Sequence, residues 1–302
     1  MKSMQKRFLG FFVPGITGLC AVSIIALLAL LVIIIAYNGI PHLSWTFISS
    51  PPTEGMTSGG ILPAIVGTFF LVILMSIVGV PIGTVTAIYL SEYVDKESHV
   101  VKVIRFAVNT LAGIPSIVFG LFGLGFFIQF VGSGMDSAFS PEGVIRWGQP
   151  NIFWASLTMA VLTLPVVIVS VEEAIRSVPR ELREASLALG ATRWETITKV
   201  VLPGCSTGIF TGMILAISRG AGEVAPILFT GAAYFLPHLP ASLSDQFMNL
   251  GYHIYIMSTQ SPDVEATKGI QYATTLVLML MVFIFNFSAM MIRYKMRKKT
   301  VG

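Results

Sequence analysis

Residues 184–203 read EASLALGATRWETITKVVLP and lie between two long apolar segments. The stretch carries its own helix punctuation. Pro179 suits a first helical turn, and Val178, Leu182, Ala185 and Leu189 recur at i, i+4, i+7 and i+11 as a helical stripe. Arg180, Glu181, Arg183 and Glu184 fall off that stripe. Gly190 follows its last residue, where a helix C-terminus favours glycine. Thr192 with Glu195 makes a T-x-x-E capping box that starts a second helix. Trp194, Ile197 and Val201 supply its apolar face, and Leu202-Pro203 is expected to end it before the next apolar segment. Two short helices on a tight turn, kept slim by Ala185, Ser186, Ala188 and Gly190, read as an element that inserts into a partner's cleft. The other reading is an amphipathic hairpin lying on lipid.

The rest of the chain explains why such an element stands out. Of 302 residues, 54% are hydrophobic and 11% charged, against roughly 25% charged in soluble domains. This composition describes a polytopic membrane protein, and the expected fold class is all-α. The net charge of +4 does not point to nucleic acid, because the basic residues are scattered over loops. Cys20 and Cys205 sit in or beside separate apolar segments and imply neither a disulfide framework nor a metal site. His42, His99, His238 and His253 show no ligand spacing and read as loop residues.

Six apolar segments are long enough to cross a bilayer, which takes about 20 residues: Phe11–Tyr37, Ile61–Leu90, Val103–Phe130, Ile152–Val171, Ser206–Thr230 and Ala273–Ile292. The first is too long for a signal-peptide core and has no clear cleavage site, so it is expected to be retained. With the N-terminus inside, the inner segments hold Lys2, Lys6, Arg7, Lys96, Lys102, Arg105, Arg176, Arg180, Arg183, Arg193, Lys199, Arg293, Lys295, Arg297, Lys298 and Lys299. The outer loops hold only Arg146 and Lys268. The positive-inside bias therefore puts both termini and the 172–203 loop in the cytoplasm. The outer loops, Ser49–Gly60 and about Gly231–Tyr272 among them, are polar and turn-rich. Pro81, Gly113, Pro115, Gly120, Pro165, Gly222 and Pro226 mark spans where backbone is broken along a pathway or helices pack closely.

The fifth span holds Arg219 near its middle, with Glu223 at i+4 on the same face. A charge at mid-bilayer costs roughly 2.5–3.5 kcal/mol on insertion scales, so such residues face a bundle interior or a wet path. The planar guanidinium suits an oxyanion. A purely structural pair that locks two helices fits the same spacing.

Two sets of residues carry a family resemblance. The first is Glu184, Ala185, Ser186, Gly190, Val200, Leu202 and Pro203, with Ser186 in place of a second Ala and Val200 in place of Ile. It resembles the EAA loop of bacterial ABC importer permeases, which docks onto an ATP-hydrolysing subunit. The second is GIFTGMILAISRGAGEVAPILFTG, Gly208–Gly231. It is similar to the corresponding span of phosphate importer permeases, as are PIGTVTAIYLSEY (Pro81–Tyr93) and LAGIPSIVFGLFG (Leu111–Gly123). The outer 231–272 loop favours the PstA-type over the PstC-type subunit. The resemblance implies a six-helix type I, MetI-like architecture: an N-terminal span and outer loop (1–60), a permease core (61–292) with the loop at 172–203, and a basic tail (293–302).

It also implies a phosphate importer subunit that is not itself an enzyme. The expected partners are a PstC-like permease, a PstB-like ATPase dimer and a PstS-like phosphate-binding protein. Arg219 and Glu223 would serve translocation. Glu184, Ala185, Ser186, Gly190, Leu202 and Pro203 would serve ATPase coupling. No Walker A sequence is present, so ATP and Mg belong to the partner and this chain is expected to need no cofactor. A permease for molybdate or sulfate and an ion-coupled secondary transporter are the other classes.

Overall fold

A computed structural model describes residues 2–53, 56, 58–94, 98–141, 143–261 and 263–301. The side chains of 2–11, 13 and 297–301 are not described. Lys96 and the side chains of Lys2, Lys6, Arg7, Arg297, Lys298 and Lys299 therefore lie outside the described residues. Helix α1 is Lys2–Gly39, followed by the short α2 (Trp45–Ser49) and a two-residue pairing of β1 (Pro52–Thr53) with β2 (Ser58–Gly59). Then come α3 (Leu62–Ile88), α4 (His99–Gly113), α5 (Ser116–Phe122), α6 (Ser133–Phe139) and α7 (Ile152–Ser177). Helices α8 (Arg180–Ala188) and α9 (Arg193–Thr196) precede α10 (Leu202–Gly222), α11 (Ile227–Thr230), α12 (Leu250–Thr259) and α13 (Val264–Val301). Six helical segments among the described residues are long and apolar enough to span a bilayer.

The bundle is organised around α7. Two-thirds of its most apolar window is buried, against none of that of α1, which packs mainly on α13. Helices α3 and α10 pack along α7 through small residues. A side chain at Gly83 would run into Val167, and one at Gly208 into Ala174. That close approach is how apolar helices gain contact where lipid removes the hydrophobic driving force. Helix α13 runs antiparallel to α10, tied by Ser218 Oγ to Asn286 Oδ1 (2.9 Å) and by Arg293 Nη1 to Thr211 Oγ1 (3.0 Å).

Pro81 and Pro165 are carried inside α3 and α7, but two expected spans are broken. The segment Val103–Phe130 is not one helix. Ile114 adopts ψ 133 between α4 and α5, the extended geometry that a following proline imposes. The segment Ser206–Thr230 is broken too, because α10 ends at Gly222 and Glu223 is extended (φ −79°, ψ 130°). Conversely, Leu202-Pro203 does not end the second loop helix. Helix α9 runs through a π turn, Ile197–Val201, directly into α10. The wider turn accommodates Pro203, which lacks an N–H and would otherwise clash with the carbonyl four residues back.

The long segment 231–272 also differs from a solvated loop. Phe247, Met248, Leu250, Ile256 and Met257 are buried, and Leu250 N donates to Thr68 Oγ1 of α3 (2.9 Å). The carbonyls of Leu243 and Asp245 accept from Phe153 and Ile152, satisfying the first turn of α7. His99 and His253 are not loop residues. His99 opens α4. His253 sits buried in α12, and burial pulls its pKa down from 6.5 to about 4.

Candidate functional site

The 178–203 region forms the two-helix element expected, with a geometry that explains each residue. Ser177 closes α7, Val178 is buried in the bundle, and Arg180 opens α8. Gly190 has φ +88°. Ala191 N donates to Ser186 O (3.2 Å) and Gly190 N to Leu187 O (3.0 Å), so α8 ends in a Schellman motif. Thr192 and Glu195 form the full capping box that starts α9.

Glu184 and Ala185 are exposed, while Ser186 is half-buried with its hydroxyl 3.0 Å from that of Thr196. Leu202 is half-buried and Pro203 exposed at the head of α10. Beyond Val178 the apolar stripe is not buried against the body. No residue of α8 is buried, Leu189 is 89% exposed and Trp194 64% exposed. Only Ile197 and Val201 of the second helix's apolar face are inside. A leucine-bearing helix that stands clear of its own protein has its packing surface available to another chain.

Sequence reasoning missed what holds this element. Arg183 donates from Nε (3.1 Å) and Nη2 (2.9 Å) to Glu92 Oε1, in the π turn Tyr89–Tyr93 at the end of α3. It also donates to the carbonyls of Ile175 (2.7 Å) and Val178 (2.6 Å) at the end of α7. Beside it, Glu172 is buried and pairs with Arg105 of α4 (3.0 Å) and Arg176 (3.6 Å). Glu92, Arg183, Arg105 and Arg176 line a cavity of about 490 Å³ that Arg180 and Glu184 also border. Residues 92 and 183 are far apart in the chain, so no local spacing announces their pairing.

The ion pair forms, with Arg219 Nε 3.3 Å from Glu223 Oε1. Its setting differs from the middle of an unbroken helix. Arg219 lies in the last turn of α10 and Glu223 just beyond it, where helix termination leaves carbonyls unsatisfied. The pair is still deep in the bundle. Gly220 abuts Met75, midway along the α3 span Leu62–Tyr93, with Met159 of α7 close by. A side chain at Gly222 would meet nothing within 4 Å, and the Arg219 side chain is 38% exposed. Glu223 accepts from Nε of the guanidinium and not from its two Nη groups. Helix α12 closes the site from above, with Gly251 against Val224. Among the described residues no three His, Cys, Asp or Glu side chains gather as metal ligands.

Comparison with known proteins agrees with this architecture. The family described as binding-protein-dependent transport system inner membrane component matches residues 79–298. The chain is 33% identical over 300 residues to the probable ABC transporter permease protein YqgI of Bacillus subtilis, covering 95% of each. It is 33% identical over 255 residues to the phosphate transport system permease protein PstA of Yersinia pestis, covering 82% of this chain and 76% of that one. A bacterial ABC transporter involved in the import of the acidic polysaccharide alginate shares the fold with a TM-score of 0.64. Identity there is 15%, over 97% of this chain and 98% of that one. The chain belongs to the binding-protein-dependent permease family. It is a multi-pass transmembrane subunit of an ABC importer, and ATP hydrolysis belongs to a separate subunit. The family carries no cofactor of its own.

Proposed function

We propose that this permease is one half of the transmembrane path of an ATP-driven phosphate importer in the bacterial inner membrane. A PstC-like permease forms the other half, and a PstS-like protein delivers phosphate from outside. A PstB-like ATPase dimer, which holds ATP and Mg, receives α8 and α9 on the cytoplasmic face, where both termini also lie. The observation that carries the reading is Arg219, paired with Glu223 at the broken end of α10 and partly exposed beside the open space at Gly222. Exposed to lipid there, an arginine is costly. Facing a wet path completed by a second permease, it offers a fork that fits a tetrahedral oxyanion. The similarity to permeases named for phosphate transport supports the substrate.

Glu223 fixes the guanidinium and tempers its charge, so that phosphate is bound weakly enough to leave, as a conducting path requires. Glu184, Ala185, Ser186 and Gly190 shape the inserted turn. Leu202 and Pro203 join it to α10, so ATP-driven motion of the turn reaches the helix that carries Arg219. The test is uptake of labelled phosphate, molybdate and sulfate in a strain lacking its own phosphate importer, with affinity capture of the ATPase. Phosphate uptake that stops when the ATPase is inactivated is expected. Preference for molybdate or sulfate overturns the substrate, and uptake without any ATPase overturns the transporter class.

A further inference from the structure

We propose that the Arg183–Glu92 pair is the strap through which the α8–α9 turn moves α3, and that Glu92 is a positioning residue for coupling. The proposal rests on the reading of that turn as the ATPase-docking element. Three observations carry it. Helix α8 buries none of its residues, so apolar packing does not fix it to the body. Its polar ties lead two ways. Ser186 bonds to Thr196 at the root of α10, and Arg183 reaches Glu92 and the end of α7. The Arg183–Glu92 pair is largely sheltered, with 18% and 15% of the side chains exposed, and one guanidinium joins three elements through four short hydrogen bonds.

The geometry gives the strap a load to move. Glu92 sits in a π turn, a wound-out segment frequent at functional positions. From there α3 runs as a continuous helix back to Met75, which packs on Gly220 beside Arg219. About 17 residues at 1.5 Å each separate the two contacts, so a rigid rod of roughly 25 Å connects the docking turn to the ion pair. Motion of α8 without this strap would reach α10 and the end of α7 but not α3. With it, α3 and α10 are driven together, which preserves the Met75–Gly220 contact as the bundle rearranges.

The experiment uses the assembled complex in proteoliposomes with loaded binding protein. It reads phosphate moved per ATP hydrolysed, a ratio that is normalised for the amount of complex. Glu92→Gln keeps size and loses the charge. Its ratio is expected to fall about tenfold, the low end of what losing a hydrogen bond to a charged group does to an equilibrium. Glu92→Asp is expected to retain a ratio between that of the natural protein and that of Glu92→Gln. A role confined to stability lowers the yield of complex and leaves the ratio alone. An unchanged ratio in Glu92→Gln therefore overturns the strap. Arg183→Lys, on a helix outside the spans, keeps the charge without the fork and stands in if Glu92→Gln does not assemble. Gly190→Trp runs alongside and is read by uptake and stimulated ATP hydrolysis separately. If both fall in it while the ratio holds in the Glu92 and Arg183 variants, the strap alone fails. If Gly190→Trp also keeps both activities, the docking reading falls with it.

Discussion

Replacing Gly190 separates two reasons why the docking turn needs a glycine. Gly190 has φ +88° and is the left-handed residue of the Schellman motif that ends α8. A β-carbon there meets nothing within 4 Å of this chain. Steric room is therefore not the constraint inside the subunit, and backbone conformation is. An L-residue held in the left-handed region costs about 1–2 kcal/mol, and asparagine tolerates it better than alanine. That cost falls on the turn that sets α9 against α8. It lowers the population of the native turn relative to opened ones by a factor of about 5–30. Gly190→Ala should therefore reduce phosphate uptake and binding-protein-stimulated ATP hydrolysis together, by up to that factor. Gly190→Asn should lose less, although its side chain is larger. Both activities are to be measured in reconstituted complexes matched for the amount of permease. An Asn variant worse than the Ala variant would refute the backbone argument and place the constraint in clearance from the docked ATPase. An Ala variant with full activity would remove the turn from the coupling path.

Three further outcomes are expected. Arg219→Ala should abolish phosphate uptake, and the double variant Arg219→Ala with Glu223→Ala should assemble and still fail to transport. Removing both members of a merely structural pair can be nearly neutral, so recovered uptake in the double variant would assign Arg219 to packing. His253 has a folded pKa of about 4 against an ordinary 6.5. Its contribution is complete above pH 6.5 and is lost as pH falls toward 4, because only the unfolded chain takes up the proton in that window. The loss is on the order of 1 kcal/mol at pH 5.5, so the melting temperature in detergent should fall between pH 7 and 5.5. His253→Gln should flatten that slope, and an unaltered slope would show that other groups set it. Finally, a cysteine at Leu189 should react with impermeant maleimide only in inside-out vesicles, and labelling in intact cells would reverse the proposed topology.

Much of the candidate site was legible because its signals are local. The Schellman glycine, the T-x-x-E capping box and the i, i+4 spacing of Arg219 and Glu223 each act within a turn or two of helix, and each formed as read. Other readings failed where local rules compete. Apolar length made Val103–Phe130 look like one span, but Pro115 forced Ile114 into extended backbone. Pro203 looked like a terminator, yet the π turn before it carried the helix onward. The polar 231–272 segment looked solvated, although its Phe247 and Met248 are buried.

What the sequence determined by itself is the solvent and the crossings. Long uncharged runs can satisfy their backbone in a bilayer only as helices, and a charged two-helix insert between them has to lie outside it. What only the tertiary structure decided is which charges meet. Arg183 finds Glu92, and Arg105 finds Glu172, across separate helices. Their partners depend on the packing of α3, α4 and α8 around the end of α7, where shared burial makes an unpaired charge expensive. No periodicity along one chain segment encodes that. The same holds for the open space beside Arg219, which exists because α10 stops at Gly222 while α3, α7 and α12 close the other sides.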